Sequence, residues 1–137
     1  MYLGLVSAIC DTMNFEEMID FVSEAELECV EVACWPAGKA KRRYAGVSHI
    51  NVDAVLEDDT YAKHITEYAS SKNVKISSLA YYPNTMDADL TKRAAAVDHI
   101  KKLICASAKL GVNMVTTFIG RDQSKTVEEN LELVKEI

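Results

Sequence analysis

Long hydrophobic runs are missing from this sequence of 137 residues. A segment that crosses a bilayer needs about 20 consecutive apolar residues, and no stretch of the chain reaches that length. The amino terminus runs directly into an apolar, strand-like segment, without the charged lead and cleavage site of a secretory signal. We therefore expect a soluble protein with no membrane partner.

Closely spaced cysteine pairs of the CxxC type are also missing from the sequence. The four cysteines are Cys10, Cys29, Cys34 and Cys105, and they form no CxxC pair. Their density is too low for a small secreted domain that is held together by disulfides. Reduced, mostly buried thiols in a cytoplasmic protein are the expectation.

Positive charge is in deficit, with 15 Lys and Arg against 21 Asp and Glu and a net charge of −6. A chain with this balance has no overall attraction for phosphate backbones, which argues against a nucleic-acid partner. The basic residues cluster only locally, in the run from Lys39 to Arg43. That run either cradles a phosphate or carboxylate or is a solvated charged loop.

What the sequence does contain is a strand-like segment followed by a helical pattern, four times over. The strand-like segments are Tyr2–Ser7, Cys29–Ala33, Val74–Tyr81 and Val112–Ile119. Asn14 with Glu17, and Thr126 with Glu129, match the capping box that begins a helix. The predicted apolar face of the helix after the third strand consists of Leu90, Val97, Ile100, Ile104 and Ala108. Gly111 is the expected end of that helix.

This alternation predicts an α/β fold with a parallel sheet, because a helix usually supplies the crossover between parallel strands. A complete (β/α)8 barrel takes about 250 residues. Four consecutive parallel βα units therefore predict one domain over residues 1–137 that forms half of a TIM barrel. The alternative is an open, flavodoxin-like doubly wound sheet. Such a sheet usually has a glycine-rich or phosphate-binding first turn, and Ser7–Met13 contains neither glycine nor lysine.

Three strings carry a resemblance to a known family: ECVEVACWP (Glu28–Pro36), KISSLAYYPN (Lys75–Asn84) and LGVNMVTTFIG (Leu110–Gly120). Together they resemble the first half of sugar-phosphate isomerases and epimerases of the xylose isomerase-like barrel superfamily. In those enzymes two Glu, an Asp and a His at the ends of the last four strands hold a divalent metal (Mn, Mg or Zn), and this sequence contains none of those strands. The resemblance thus implies the amino-terminal part of a metal-dependent sugar or sugar-phosphate isomerase or epimerase. By this resemblance the chain contributes the fold and part of the wall of the substrate pocket, but no catalytic residue or metal ligand. The isolated chain is then expected to be inactive.

Candidate binding residues follow from position, since active sites of such barrels lie at the carboxyl ends of the strands. Trp35, Tyr81 and Tyr82 are the expected aromatic wall for a sugar, although aromatic residues there also serve to plug the barrel mouth. Arg121 directly follows the fourth strand. His49 lies in the long loop over the active face, where an imidazole beside basic groups could contact an anionic substrate.

Glu31 lies within the second strand, where an unpaired carboxylate would be costly to bury. Lys75 on the neighbouring strand is its expected partner. A polar role at the pocket floor and direct metal ligation are the alternatives. His64 and His99 lie inside predicted helices, and a structural role is expected for both.

Two other functions stay open. The first is a DNA-repair barrel that resembles AP endonucleases, which carry metal-binding histidines at the ends of the third and fourth strands. Here those ends read Ala80–Pro83 and Thr116–Gly120, without histidine. The second is a non-catalytic fragment.

Association with a second copy is a further expectation. Four barrel strands leave two unpaired edges and an inner face without its partner strands, and unpaired edges template association. We predict a homodimer in which two half-barrels face each other. Leu79, Val115 and Ile119 are the residues expected on the uncovered inner surface.

Overall fold

The computed structural model describes residues 1–36 and 45–137. One parallel sheet holds β1 (Gly4–Val6), β2 (Cys29–Ala33), β3 (Lys75–Ala80) and β4 (Val115–Thr116). The helices are α1 (Phe15–Glu24), α2 (Val52–Glu57), α3 (Asp59–Ser71), α4 (Leu90–Lys109) and α5 (Val127–Leu133), with short 3-10 turns at Ser7–Ile9 and Val134–Glu136. The prediction of an α/β fold with four parallel βα units is confirmed.

The strand order separates the two folds that the sequence allowed. The strands lie in the order β1-β2-β3-β4. A flavodoxin-like sheet places its second strand outside its first, whereas barrel strands follow one another around the axis. The sequential order is therefore that of a partial TIM barrel.

Helix α1 shows how the sequence determines the start and the packed face of a helix in one of these βα units. Its capping box forms as expected, because the Glu17 amide donates to Asn14 Oδ1 at 2.9 Å and the Asn14 amide donates to Glu17 Oε2 at 2.8 Å. Met18, Ile19 and Val22 are then fully buried on the face that meets the sheet. Local capping and apolar spacing thus agree on where this helix begins and how it packs.

Helix α4 packs on a different face from the predicted one. Its buried residues are Ala96, Leu103, Ala106 and Ser107. Leu90 and Ile104, which the spacing placed in the core, are 69% and 53% exposed. Three of these four buried residues have small side chains, so a pattern drawn through the largest apolar residues predicted the wrong side of the helix. Gly111 ends the segment as predicted, with a φ of 68° that favours glycine.

The two faces of the sheet carry different chemistry. Val32 of β2 pairs in register with Leu79 of β3, which pairs with Val115 of β4, and Val32 and Leu79 are fully buried under the helices. The expectation that Leu79 and Val115 lie on the inner surface was therefore wrong. Because side chains alternate along a strand, the opposite face carries their neighbours, including Glu31, Ser78 and Thr116. This inner face is polar at its carboxyl end.

Across the part of the chain that the structure describes, no helix combines the length and the apolar character that a bilayer crossing requires.

Candidate active site

Glu31 is the centre of a hydrogen-bonded cluster on the inner face of the sheet. Its Oε2 accepts hydrogen bonds from Ser78 Oγ at 3.0 Å and from Thr116 Oγ1 at 2.9 Å, and its Oε1 accepts one from the Tyr82 hydroxyl. Ser78 belongs to β3, Tyr82 follows that strand, and Thr116 belongs to β4. One half-buried carboxylate thus joins three neighbouring strands near their carboxyl ends.

The expected pairing of Glu31 with Lys75 was wrong. Lys75 is the first residue of β3 and pairs in register with Cys29, whereas Glu31 pairs with Ser78. The lysine ammonium lies 5.2 Å from the centroid of the Tyr2 ring, toward the amino end of the sheet. Hydroxyl donors take its place at Glu31, which corresponds to the polar role at the pocket floor that the sequence left as an alternative.

Tyr82 and Phe118 form an aromatic pair beside this cluster. Their ring centroids lie 4.6 Å apart at an interplanar angle of 41°. Phe118 is 62% exposed, while Tyr82 is half-buried through its bond to Glu31. The pair offers an apolar surface next to a polar floor, which is the combination that binding sites for small hydroxylated molecules use.

Tyr81 lies apart from Tyr82, although the two are adjacent in sequence. Its ring meets Trp35 edge-on, at 4.9 Å and 89°, and meets His99 of α4 at 4.7 Å and 76°. His99 in turn donates from Nε2 to the Cys34 carbonyl at 2.8 Å. The structure therefore brings Trp35 and Tyr81 together, but Tyr81 is buried and supports Trp35 from the helix side. Consecutive residues of an extended chain point to opposite faces, which separates the two tyrosines.

His49 is buried, and both of its ring nitrogens are engaged. Nε2 lies 3.1 Å from the Cys10 carbonyl and Nδ1 lies 3.0 Å from Ser7 Oγ. A carbonyl only accepts, so Nε2 carries the proton and Nδ1 accepts from the serine hydroxyl. Burial lowers the pKa of His49, which keeps the ring neutral. In this position His49 holds the end of β1 against the 47–50 segment and leaves no nitrogen for an anionic ligand.

The Ser7–His49 contact resembles a nucleophile with its base, but its surroundings exclude that role. Ser7 is fully buried, and its Oγ also accepts the Ala33 amide at 2.8 Å. A substrate carbon has no access to that oxygen. The pair therefore joins β1 to β2.

Arg121 lies in a separate cleft of about 290 Å³, between the segment after β4 and α5. The cleft is lined mainly by apolar residues, including Met86, Ile119 and Leu131, and Arg121 and Lys125 are its cations. The segment is held in place because Asn84 Nδ2 donates to the Arg121 carbonyl at 2.9 Å. The structure thus does not bring Arg121 together with Trp35 and Tyr81.

The basic run Lys39–Arg43 lies outside the described residues.

A divalent metal of the kind that the family resemblance implies does not fit the residues at hand. Within residues 1–36 and 45–137, no three His, Cys, Asp or Glu side chains come close enough together to hold a metal ion. Both oxygens of Glu31 already accept hydrogen bonds. Divalent metals in proteins usually take several carboxylate or imidazole ligands, so we derive no step through a metal here.

Ser78, Thr116 and Phe118 were missing from the predicted binding residues. Their signal was present in the sequence, since each of the strands β2, β3 and β4 carries a polar residue at an inward position. To see that these residues meet, one needs the pairing register of β2 with β3, and a bulge between Val30 and Glu31 shifts that register by one residue.

Comparisons with known proteins agree with this architecture. Residues 19–137 match the model of the xylose isomerase-like TIM barrel family. A probable 3-DHS dehydratase, AsbF, from Bacillus anthracis superposes with a TM-score of 0.64 at 14% sequence identity, over 99% of this chain and 45% of the dehydratase. Protein SMc04130 from Sinorhizobium meliloti 1021 gives a TM-score of 0.60 at 17% identity, over 98% of this chain and 42% of its own. No curated protein has significant sequence similarity to the chain. The chain spans less than half the length of either solved structure.

Proposed function

Because the chain belongs to the xylose isomerase-like TIM barrel family, we propose that it forms the substrate-binding wall of an isomerase or epimerase for a sugar or sugar phosphate. The observation that carries this proposal is the Glu31 cluster beside the Tyr82–Phe118 pair, at the carboxyl ends of the strands. Barrel enzymes bind their substrates at that end. Hydrogen-bonding groups next to an aromatic surface suit a molecule with hydroxyls on a carbon frame.

The part of this chain in the reaction is binding and positioning. When a divalent metal is bound in enzymes of this kind, it polarises neighbouring carbonyl and hydroxyl oxygens of the substrate. We propose that its ligands come from barrel strands that this chain does not contain, as the resemblance implies. Tyr82 and Phe118 would pack against the sugar, Glu31 would bind at the floor, and Trp35, supported by Tyr81, is the further wall candidate.

We also propose a homodimer in a reducing, cytoplasmic setting. Val6 and Met114 are large apolar residues with exposed side chains on the inner face. Contact with a second half-barrel would remove them from water. All four cysteines are free thiols, which supports the reducing setting. Light scattering at micromolar concentration should give twice the mass of 15.2 kDa, and a stable monomer would contradict the dimer.

Ligand binding tests the functional proposal directly. Saturation-transfer NMR on the 137-residue chain with pentoses, hexoses and their phosphates should show contact with the sugar C–H groups. Phe118→Ala should weaken that signal, whereas Phe21→Ala, which removes an exposed phenylalanine of α1, should leave it unchanged. Absence of any sugar signal from the folded chain would contradict the proposal. The DNA-repair alternative predicts instead binding to duplex DNA.

A further inference from the structure

Glu31 keeps one unused acceptor position. An ionised carboxylate has about four lone-pair positions and can only accept hydrogen bonds. Oε2 already accepts from Ser78 and Thr116, while Oε1 accepts from Tyr82 alone. The remaining position is therefore on Oε1, beside the Tyr82 hydroxyl.

The hydroxyls around Glu31 have only lone pairs left to offer. Ser78 and Tyr82 each direct their one hydroxyl hydrogen to the carboxylate. The one hydroxyl hydrogen of Thr116 also reaches Glu31 Oε2, at the shortest of its acceptor distances, with the Leu79 carbonyl and the Tyr82 oxygen nearby. Burial, and then the hydrogen bond to Glu31, raise the pKa of Tyr82, so the phenol stays protonated and continues to donate at neutral pH. Toward a ligand, the whole cluster is an acceptor with one negative charge.

We propose that Glu31 and the Tyr82 hydroxyl form a subsite that binds adjacent hydroxyl groups of a polyol and rejects carboxylate and phosphate groups. A ligand with two neighbouring hydroxyls can donate one hydrogen bond to Oε1 and one to the phenol oxygen. An anionic group at the same place would meet a like charge and no donor, which is a repulsive contribution to specificity. The subsite rests on the proposed function and adds the orientation of the ligand: its hydroxyl end lies at Glu31 and any anionic end points away.

Comparing a polyol with the corresponding sugar acid distinguishes this subsite from non-specific binding. NMR titration of the 137-residue chain with xylitol should shift the backbone amides of residues 31, 78 and 116. Xylonate, which replaces a terminal hydroxymethyl group by a carboxylate, should bind about tenfold more weakly. Equal affinity for the two would overturn the proposal.

Glu31→Gln tests the acceptor character itself. The glutamine amide nitrogen is a donor, so it faces a hydroxyl oxygen and the cluster loses both its charge and its acceptor-only nature. Xylitol should bind about tenfold more weakly, and the discrimination against xylonate should disappear. Glu28→Gln is the matched control, because it removes the same charge from an exposed residue just before the amino end of β2. That variant should bind like the unmodified chain.

Thr116→Val covers the case in which Glu31→Gln fails to fold. It removes one donor and keeps the carboxylate charge, so the discrimination against xylonate should persist. Loss of the discrimination in Thr116→Val, or xylitol binding that Glu31→Gln leaves unchanged, would overturn the subsite. Xylitol shifts confined to the surroundings of Phe118 would also overturn it, while the proposed carbohydrate function would stand. If neither sugars nor xylitol bind, the functional proposal fails together with the subsite.

Discussion

The region from β1 to α4 and the region from β4 to α5 have the same βα plan but pack very differently. The first contains fully buried side chains from several elements, among them Met18, Val32, Ile65 and Leu103. In the second, β4 has two residues, and α5 has no buried residue within the described structure. Val127 and Leu131, the apolar residues of α5, are 64% and 58% exposed. A barrel helix packs over its own strand and the next one, and the described residues contain no fifth strand beside α5.

The largest difference is expected between two leucine truncations. Leu103→Ala should lower the free energy of unfolding by about 2–5 kcal/mol, because it opens a cavity under a fully buried side chain. Leu131→Ala should cost about 0.5 kcal/mol or less, because its side chain already contacts water. Urea denaturation followed by circular dichroism measures both. Similar losses for the two variants would show that α5 is packed in solution, for example against a second copy.

Protonation of His49 should destabilise the first region in acid. The folded-state pKa of His49 lies below the usual value of about 6.5 because the ring is buried, so between the two values the unfolded chain binds more protons. The free energy of unfolding should therefore fall as the pH decreases through about 6.5 toward the folded pKa, by at most about 1.4 kcal/mol per pH unit for one histidine.

His49→Gln removes this titration and is compared with the unmodified chain in urea denaturation between pH 8 and pH 5, a range chosen around the usual histidine pKa of about 6.5. His64→Gln is the control, since that ring is on the surface, 2.7 Å from Glu16. An unchanged pH dependence in His49→Gln would contradict the assignment. A loss of stability alone would not, because the variant also alters the bonds to Ser7 and Cys10.

The two capping boxes provide a matched pair with a smaller effect. Asn14→Ala should cost about 1 kcal/mol of global stability, because α1 is held by the core and its unfolding is coupled to that of the domain. Thr126→Ala removes the same kind of cap from α5. It should instead raise amide hydrogen exchange in residues 127–133 with little change in global stability. Equal global losses would mean that the two regions unfold as one cooperative unit.

Periodicity and capping were enough to predict the strand segments and the starts of α1 and α5, the two helices with capping boxes. The capping residues Asn14 and Thr126 are local signals that act within one turn, so tertiary packing has little power to override them. The packed face of α4 was not predictable in the same way, because two of its buried residues, Ala96 and Ala106, are small and stand out little in an apolar pattern.

The candidate site was predictable as a location but not as a set of contacts. Tyr82 follows β3 and was named by position alone, whereas Arg121, which was named in the same way, lies in a separate cleft. The partners of Glu31 depend on how β3 pairs with β2, and the bulge after Val30 moves Ser78 into the place that a simple count assigns to Ser77. His49 was assigned to an exposed loop, but its segment pairs back onto Cys34 and buries the ring.

The smallest effect is expected when divalent metals are added. Metal binding compares one carboxylate from each region, Glu31 and Asp122. Glu31 accepts three hydroxyl hydrogen bonds, and Asp122 Oδ1 after β4 accepts from the amide and the hydroxyl of Ser124. Those bonds lower the pKa of Asp122, which keeps it ionised but already satisfied. A metal would gain a single carboxylate at either place. Calorimetry with manganese, magnesium and zinc should therefore show only weak heats, unchanged in Glu31→Gln and in Asp122→Asn. A stoichiometric site with sub-micromolar affinity that one of these variants abolishes would mean that the carboxylate of that region is a metal ligand, and would reverse its assignment as a hydrogen-bond acceptor.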